Sequence, residues 1–451
     1  MRKSSPSSER GVAMLLVLVG IAVLALVANE VRYNSVIELR LATNQRDELR
    51  AHYLAKSGIS MSRLMLRFQK QLDSIQIPNL MGMLGPLLSG ITGTPPGMPP
   101  GAGANPLAAL AGGGAGGGSM SIQLWRMAKI DCHMLQQMVP EYDEKGAPLK
   151  PAAGTSKGKK FDFDDENPEL GQAQAQRRFG SFTGCFDTVI TDEEERINLS
   201  KLDAPALTAS ALLIQLISTL GDKKYEFLFE KEDSNRVKVA PTDVIIAMRD
   251  WIDEDESGSS LNFSGSGDPF LKGFSDENGN YVKYDPPYRA KNARFDSLDE
   301  LYLVHGVNDR FMAAFKDKLT VYPDVNSRLN INTDDPILLE VAIRSVADPL
   351  RQDPRLADPI FMDTLIKKIR AARIFALFGM SAADFINIIA AAGIPVNPSI
   401  QNNVQGNRVV GDKSLTYRVR VTGTAGDVSR TITTVVRLDD GLGRLVYWRE
   451  E

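Results

Sequence analysis

Residues 12–28 carry neither charge nor proline, and together with the stretch after them they constrain this chain more than any other feature. An apolar run of that length just reaches across the hydrocarbon core of a bilayer as a helix. The sequence then stays free of proline through Ser74. Apolar residues recur at Val36, Leu39, Leu41, Leu49, Tyr53, Leu54, Ile59, Leu64, Leu66 and Phe68, with spacings of three and four dominating. That is the period of one helix face. The pattern predicts a single helix from about Val12 to about Ser74, roughly 90 Å long at 1.5 Å per residue. Arg2, Lys3 and Arg10 precede the run, which places residues 1–10 on the cytoplasmic side and the bulk of the chain opposite. The best signal-peptidase cut would fall after Ala28, with Leu26 where a small residue is needed, so a cleaved secretory signal fits poorly.

A length of 451 residues suggests about three domains. The formal net charge of −4 gives no reason to expect a nucleic acid as partner. Cys132 and Cys185 are the two cysteines; behind an N-in anchor they would lie in an oxidising periplasm. A disulfide between them and a pair of buried thiols both remain open. His52, His133 and His305 are scattered, and no HExxH, CxxC, GxSxG or Walker glycine loop is present. The chain carries no signal of an enzyme.

The rest divides by composition. Residues 77–120 are rich in Gly, Pro and Ala and read as a flexible insert. Strand candidates at 121–138 and 178–192 flank a charged, Pro/Gly-punctuated loop at 139–177. The C-terminal stretch alternates with period two, Tyr417, Val419 and Val421 on one face and Arg418, Arg420 and Thr422 on the other. Gly423 and Gly426 predict one hairpin turn and Asp440-Gly441 another, giving an antiparallel meander. Between these strands lie helical patterns with a weak repeat. "RINLSKLDAPALTASALLIQLI" from Arg196 and "RLNINTDDPILLEVAI" from Arg328 both read Arg, apolar, Asn, apolar, a polar turn and an apolar-periodic helix. Asn198 and Asn330 fit a role capping or bracing the next helix. Trp125, Trp251 and Trp448 are expected in cores.

Two stretches bear on chemistry. "SLDELYLVHGVNDRFMAAFKDKL" resembles half of a helix-hairpin-helix module, around Gly306-Val307-Asn308. Such hairpins bind DNA phosphates through backbone N–H groups, but Asp296, Asp299, Glu300 and Asp309 would repel phosphate, which favours a packing or protein-docking role. "DWIDEDESGSS" places Asp253, Asp255, Ser257 and Gly258 in the first half of a calcium-loop pattern, oxygens at alternate positions around a glycine turn. The twelfth position is Ser264, so a closing carboxylate has to come from elsewhere, with Asp268, Asp276 and Asp285 the candidates.

The basic leader, glycine, apolar run and unbroken amphipathic helix together resemble a type IV pilin or pseudopilin; a simple bitopic anchor is the plainer alternative. The resemblance implies cleavage by a prepilin peptidase after Gly11 and methylation of the new N-terminus, Val12. Most members carry Glu at the fifth mature position, where this chain has Leu16. In a filament that glutamate pairs with a neighbour's N-terminal amine, and a buried carboxylate without a partner is costly. A subunit at the tip has no neighbour ahead of it, so leucine there fits a tip. The order "ERINLSKL", "DWIDEDE", "YDPPYRAKN", "FDSLDELYLVHGV", "RLNINT" is similar to the general secretion pathway protein K family, the K-type minor pseudopilins of type II secretion.

That resemblance implies an α+β, type IV pilin-like fold with a large all-α insertion of two related helical, helix-hairpin-helix/SAM-like units. The expected boundaries are a leader at 1–11, the long helix at 12–76, the insert at 77–120, pilin-domain strands at 121–195, a helical domain at 196–396 (units about 196–322 and 328–396) and C-terminal strands at 397–451. It also implies Ca2+ in the helical domain, held by Asp253, Asp255 and Ser257 with Asp268 or Asp285. The expected partners are the I-type and J-type minor pseudopilins, the major pseudopilin, the prepilin peptidase and the inner-membrane assembly platform, with secreted substrates or the secretin as further candidates and no nucleic acid. The expected location is the bacterial inner membrane, single-pass, with the bulk in the periplasm. A minor pilin priming a type IV pilus and a membrane-tethered DNA-uptake protein are the alternative readings.

Overall fold

The computed structural model describes residues 7–74, 121–127, 131, 178–179, 182–230, 238–263, 267–351, 353–373, 378–404, 406–407, 409–439 and 441–451. The expected insert at 77–120 and loop at 139–177 lie outside these residues, as does Cys132.

In chain order, α1 (Ser7–Ser74) is succeeded by β1 (Cys185–Asp192). The chain then enters a helical body: β2 (Ile197–Asn198), α2 (Ala206–Leu220), α3 (Pro241–Ile252), the hairpin of β3 (Ser257–Leu261) and β4 (Phe270–Asp276), α4 (Asp309–Phe315) and β5 (Leu319–Thr320). It continues through β6 (Leu329–Asn330), α5 (Pro336–Val346), α6 (Pro359–Ala372), α7 (Ala382–Ala391) and β7 (Val410–Gly411). It leaves into the meander β8 (Thr416–Ala425), β9 (Val428–Arg437) and β10 (Arg444–Glu450). The main sheet is antiparallel, in the order β10-β9-β8-β1.

α1 forms because nothing in its 68 residues interrupts it, and at 1.5 Å per residue it is about 100 Å long. The run from Met14 to Val31 packs on nothing among the described residues, and its length and composition suffice to cross a membrane. Further on, one face becomes protein core. Ala51, Leu54, Ala55, Ile59 and Leu66 lie on Phe186 of β1, Tyr417, Val419 and Val421 of β8, and Ile432 and Val436 of β9. The period-two alternation of β8 produces this inner face, while Arg418 and Arg420 point away from α1.

Gly423 does not turn the chain. It sits inside β8, paired with Arg430, and a Cβ there would lie 2.0 Å from the Ala51 carbonyl oxygen. The glycine is needed for helix–sheet approach; the turn falls at Gly426, with φ of 57°. Gly441 does adopt the left-handed region, φ 48°, as a turn at that place requires. The segment at 121–127 also differs from the expected strand. Ser121–Ile122 pairs with Phe378–Gly379, and Leu124–Met127 then forms one helical turn. That turn aims Trp125 edge-on at Tyr417, with ring centroids 5.7 Å apart, and frees Arg126 to reach Glu195. Trp251 is core, but Trp448 is 38% exposed on the edge strand β10.

The helical body has its own continuous core, with α2, α3, α4, α5, α6 and α7 all contributing. Two parallel two-residue pairings tie off its halves, β2 with β5 and β6 with β7. An asparagine stands in each. The Asn198 side chain accepts the Ser200 N–H at 3.0 Å, capping the next turn, and donates to the Asp324 carbonyl at 2.9 Å. The Asn330 side chain accepts the Asn332 N–H at 2.9 Å and donates to Asp192 at 2.9 Å and to Ser414 at 2.9 Å.

Candidate cation site and interdomain junction

The C-terminal end of α3 and the start of the turn after β4 meet in a buried cluster of carboxylates. Asp250 and Asp253, one helical turn apart, converge with Glu277, and one oxygen from each lies within 4.8 Å of the others. The three residues are 5–6% exposed. The β3–β4 hairpin causes the meeting, because pairing Ser257 with Asp276 carries Glu277 back to the end of α3.

Partners are too few for three buried acids. Asp250 accepts the Ser259 N–H at 2.8 Å, and Arg249 lies 3.4 Å from one Asp253 oxygen. Among the described residues, the other Asp253 oxygen, both Glu277 oxygens and the Asn292 side-chain oxygen meet no hydrogen-bond donor. Burial, then Asp250 and Asp255, push Asp253 up to about 6. Burial, then Asp253, Asp250 and Asp255, push Glu277 up to about 7. Burial raises Asp250 too. A set of oxygen donors that repel one another in this way suits a hard cation such as Ca2+, not a metal that prefers nitrogen or sulfur.

Of the residues singled out from the sequence, Asp253 is in this cluster. Asp255 is beside it and organises the loop: its carboxylate accepts the Ser257 N–H at 2.8 Å and lies 3.4 Å from the Lys272 ammonium, and its carbonyl accepts from Asn292. The Ser257 N–H bond holds the Asp255 carboxyl below its ordinary range. Ser257 starts β3. Asp268 caps the far end of the hairpin through the Phe270 N–H, Asp276 caps the turn carrying Glu277, and Asp285 is exposed before a cis proline bond. Among the described residues neither Asp268 nor Asp285 joins the three carboxylates. The calcium-loop pattern includes neither Asp250 nor Glu277; the three-residue spacing of Asp250 and Asp253 on a helix is the signal that could have found the first of them.

Gly306 of the half helix-hairpin-helix motif has φ of 85° and packs on Val239 and Val244; the Val307 N–H bonds the Val304 carbonyl and Asn308 caps α4. That hairpin is spent on packing. Cys185 is buried at the start of β1 and is not a free thiol. Gly11, Val12 and Leu16 lie in α1.

A second polar centre joins the sheet to the helical body. Where the chain crosses from β1 to β2 it runs through four consecutive acids. Asp192 accepts from Asn330 of β6. Glu193 accepts from Arg418 of β8 at 2.6 Å, from Arg196 at 3.1 Å and from Thr320 of β5 at 2.5 Å. Glu194 accepts the Leu415 N–H and the Thr416 hydroxyl, each at 3.0 Å. Glu195 pairs with Arg126, which also donates to the Asn332 carbonyl at 2.8 Å and to Asp334 at 3.3 Å. Together the four acids bind β5, β6, β8 and the Leu124–Met127 turn.

A membrane-length N-terminal helix laid on an antiparallel sheet, with a helical body inserted between two adjacent strands, defines an α+β protein. Among the described residues one helix is long and apolar enough to cross a membrane, and it fits membrane anchoring. Residues 195–324 match the family model of the type II secretion system (T2SS), protein K. Among solved structures, a chain in the crystal structure of the GspK–GspI–GspJ complex from the enterotoxigenic Escherichia coli type 2 secretion system is similar at 16% identity. The similarity covers 60% of this chain and 82% of that one, with a TM-score of 0.40. No curated protein matches the sequence.

Proposed function

We propose that this protein is a minor pseudopilin at the tip of a type II secretion pseudopilus, where it starts assembly of the filament. The observation that carries the reading is the presence, in one chain, of the α1–sheet layout and a protein K domain set between β1 and β8. A body of that size beside the sheet would collide with subunits stacked above it, and a tip position avoids the collision. Leu16 in place of the usual glutamate fits the same position, because a tip subunit has no amine to meet.

Partner helices have a surface to use. On the side of α1 away from the sheet, Leu49, Tyr53, Leu64 and Phe68 are each 53–61% exposed, a stripe at helical spacing. I-type and J-type minor pseudopilins would pack there, with the major pseudopilin below. Ca2+ would be held by Asp250, Asp253 and Glu277, neutralising their repulsion and fixing the β3–β4 hairpin to α3. The role is structural, with processing by the prepilin peptidase, anchoring in the inner membrane and the bulk in the periplasm.

Mass spectrometry of the mature N-terminus from native membranes tests the reading. A methylated Val12 is expected. An intact Met1, or a start after Ala28, would remove the pilin class altogether.

A further inference from the structure

Glu194 bonds both parts of the molecule through a single residue. Its backbone carbonyl accepts the Asn330 N–H at 2.7 Å, which belongs to the helical body. Its carboxyl accepts from Leu415 and Thr416, which lead into the sheet. The residue is 6% exposed. We propose that Glu194 is a proton-controlled pin in this joint: protonated, it holds the helical body against the sheet, and ionised, it loosens the two.

The groups around it support this. Asp192, the last residue of β1, accepts the Glu194 N–H at 2.8 Å and faces its carboxyl, and Glu195 is next to it in the chain. Lys201 on the turn after β2 is the nearby cation, with Arg328 beside that lysine. Arg126 is engaged by Glu195 and Asp334, and Arg196 and Arg418 by Glu193. On β8 the Tyr417 phenol faces the acids, and Asp73 at the end of α1 faces Tyr417. An ionised Glu194 therefore meets Asp192 in a site with little water, while its two donors are satisfied by a neutral carboxyl oxygen.

Linkage fixes the sign. Burial and Asp192 raise Glu194 from an ordinary 4.5 to about 8. A raised carboxyl contributes stability that is complete below the unfolded value and lost as pH climbs to the folded one. Asp192, raised to about 6 mainly by burial, acts in the same direction, and Lys201, lowered to about 8 by burial, acts above this window.

Hydrogen exchange on the full chain in detergent micelles, corrected for intrinsic rates, tests the pin. Between pH 5 and pH 8 the opening constant for peptides spanning 192–198, 328–333 and 412–417 is expected to rise at least tenfold, with α2, α5 and the β8–β9 core unchanged. Glu194→Gln keeps an acceptor for Leu415 and Thr416 and is expected to flatten the dependence. Asp299→Asn, which removes the exposed ion pair with Arg449, is expected to leave it intact. A flat wild type, or a Gln variant that keeps the full pH response, would overturn the proposal. A 13C titration of the wild-type carboxyls reads the same group without mutation: a Glu194 midpoint above 6.5 supports the pin, and one near 4.5 refutes it.

Discussion

Replacing Gly423 by alanine should separate α1 from the sheet. The new Cβ would lie 2.0 Å from the Ala51 carbonyl oxygen and 2.7 Å from the Ala55 nitrogen, both backbone atoms that no rotamer change can move. An ordinary contact needs about 3.5 Å, so helix and strand must part by roughly 1–1.5 Å. A gap of that size forfeits a large share of the dispersion energy across the interface and strains the contacts that persist. The expected loss is about 3 kcal/mol, the upper part of the range for overpacked cores. With an m-value near 2 kcal/mol/M, the urea midpoint of the sheet domain should fall by about 1.5 M. Trp125, packed on Tyr417, reports the sheet domain, and Trp251, packed on Tyr281, reports the helical body. The first signal should shift and the second should not. Gly279→Ala, where a Cβ meets nothing within 4 Å, is the control and should stay within about 0.5 kcal/mol. An unchanged midpoint for Gly423→Ala would refute the close-approach argument.

Ca2+ should raise the melting temperature of the helical body at pH 7.5 and chelation should lower it. The difference should shrink towards pH 5, as Glu277 near 7 and Asp253 near 6 take up protons and cease to be ligands. Glu277→Gln and Asp250→Asn should abolish the Ca2+-dependent shift by calorimetry, whereas Asp268→Asn and Asp285→Asn should leave it. Asn332→Ala should destabilise by about 2–4 kcal/mol in denaturant titration, because its buried amide meets both the N–H and the carbonyl of Met380. We propose that Cys185 pairs with Cys132: a non-reducing peptide map should show them linked, and two alkylated thiols would exclude the bond.

Local pattern made much of this architecture readable. A proline-free run with apolar residues three and four apart leaves little but a helix, and α1 ends at Ser74, where the pattern ends. Strict alternation in β8 assigns Tyr417, Val419 and Val421 to one face because successive side chains in a strand oppose each other. Gly423 shows the limit. In sequence it looks like a turn glycine; only the nearness of Ala51 in the fold reveals that it is there for lack of a side chain. The segment at 121–127 shows the same limit: expected within a strand, its residues Leu124–Met127 form one helical turn that brings Trp125 to Tyr417 and Arg126 to Glu195.

The two polar centres divide along the same line. Asp253 and Asp255 stood out because they fit the short, regular spacing of a calcium-loop pattern, although only Asp253 joins the cluster. Glu277 lies beyond a hairpin and becomes a neighbour of Asp250 and Asp253 only when β3 pairs with β4. The acids at 192–195 read as an ordinary charged stretch until the fold gave each a partner, from Arg126 to Arg418. Sequence alone determined the long helix, the meander, the helical insertion and the protein K resemblance, because each rests on periodicity or short-range order. Tertiary structure decided which carboxylates share a site and which residues join the two parts, because burial and charge proximity depend on contacts between residues far apart in the chain.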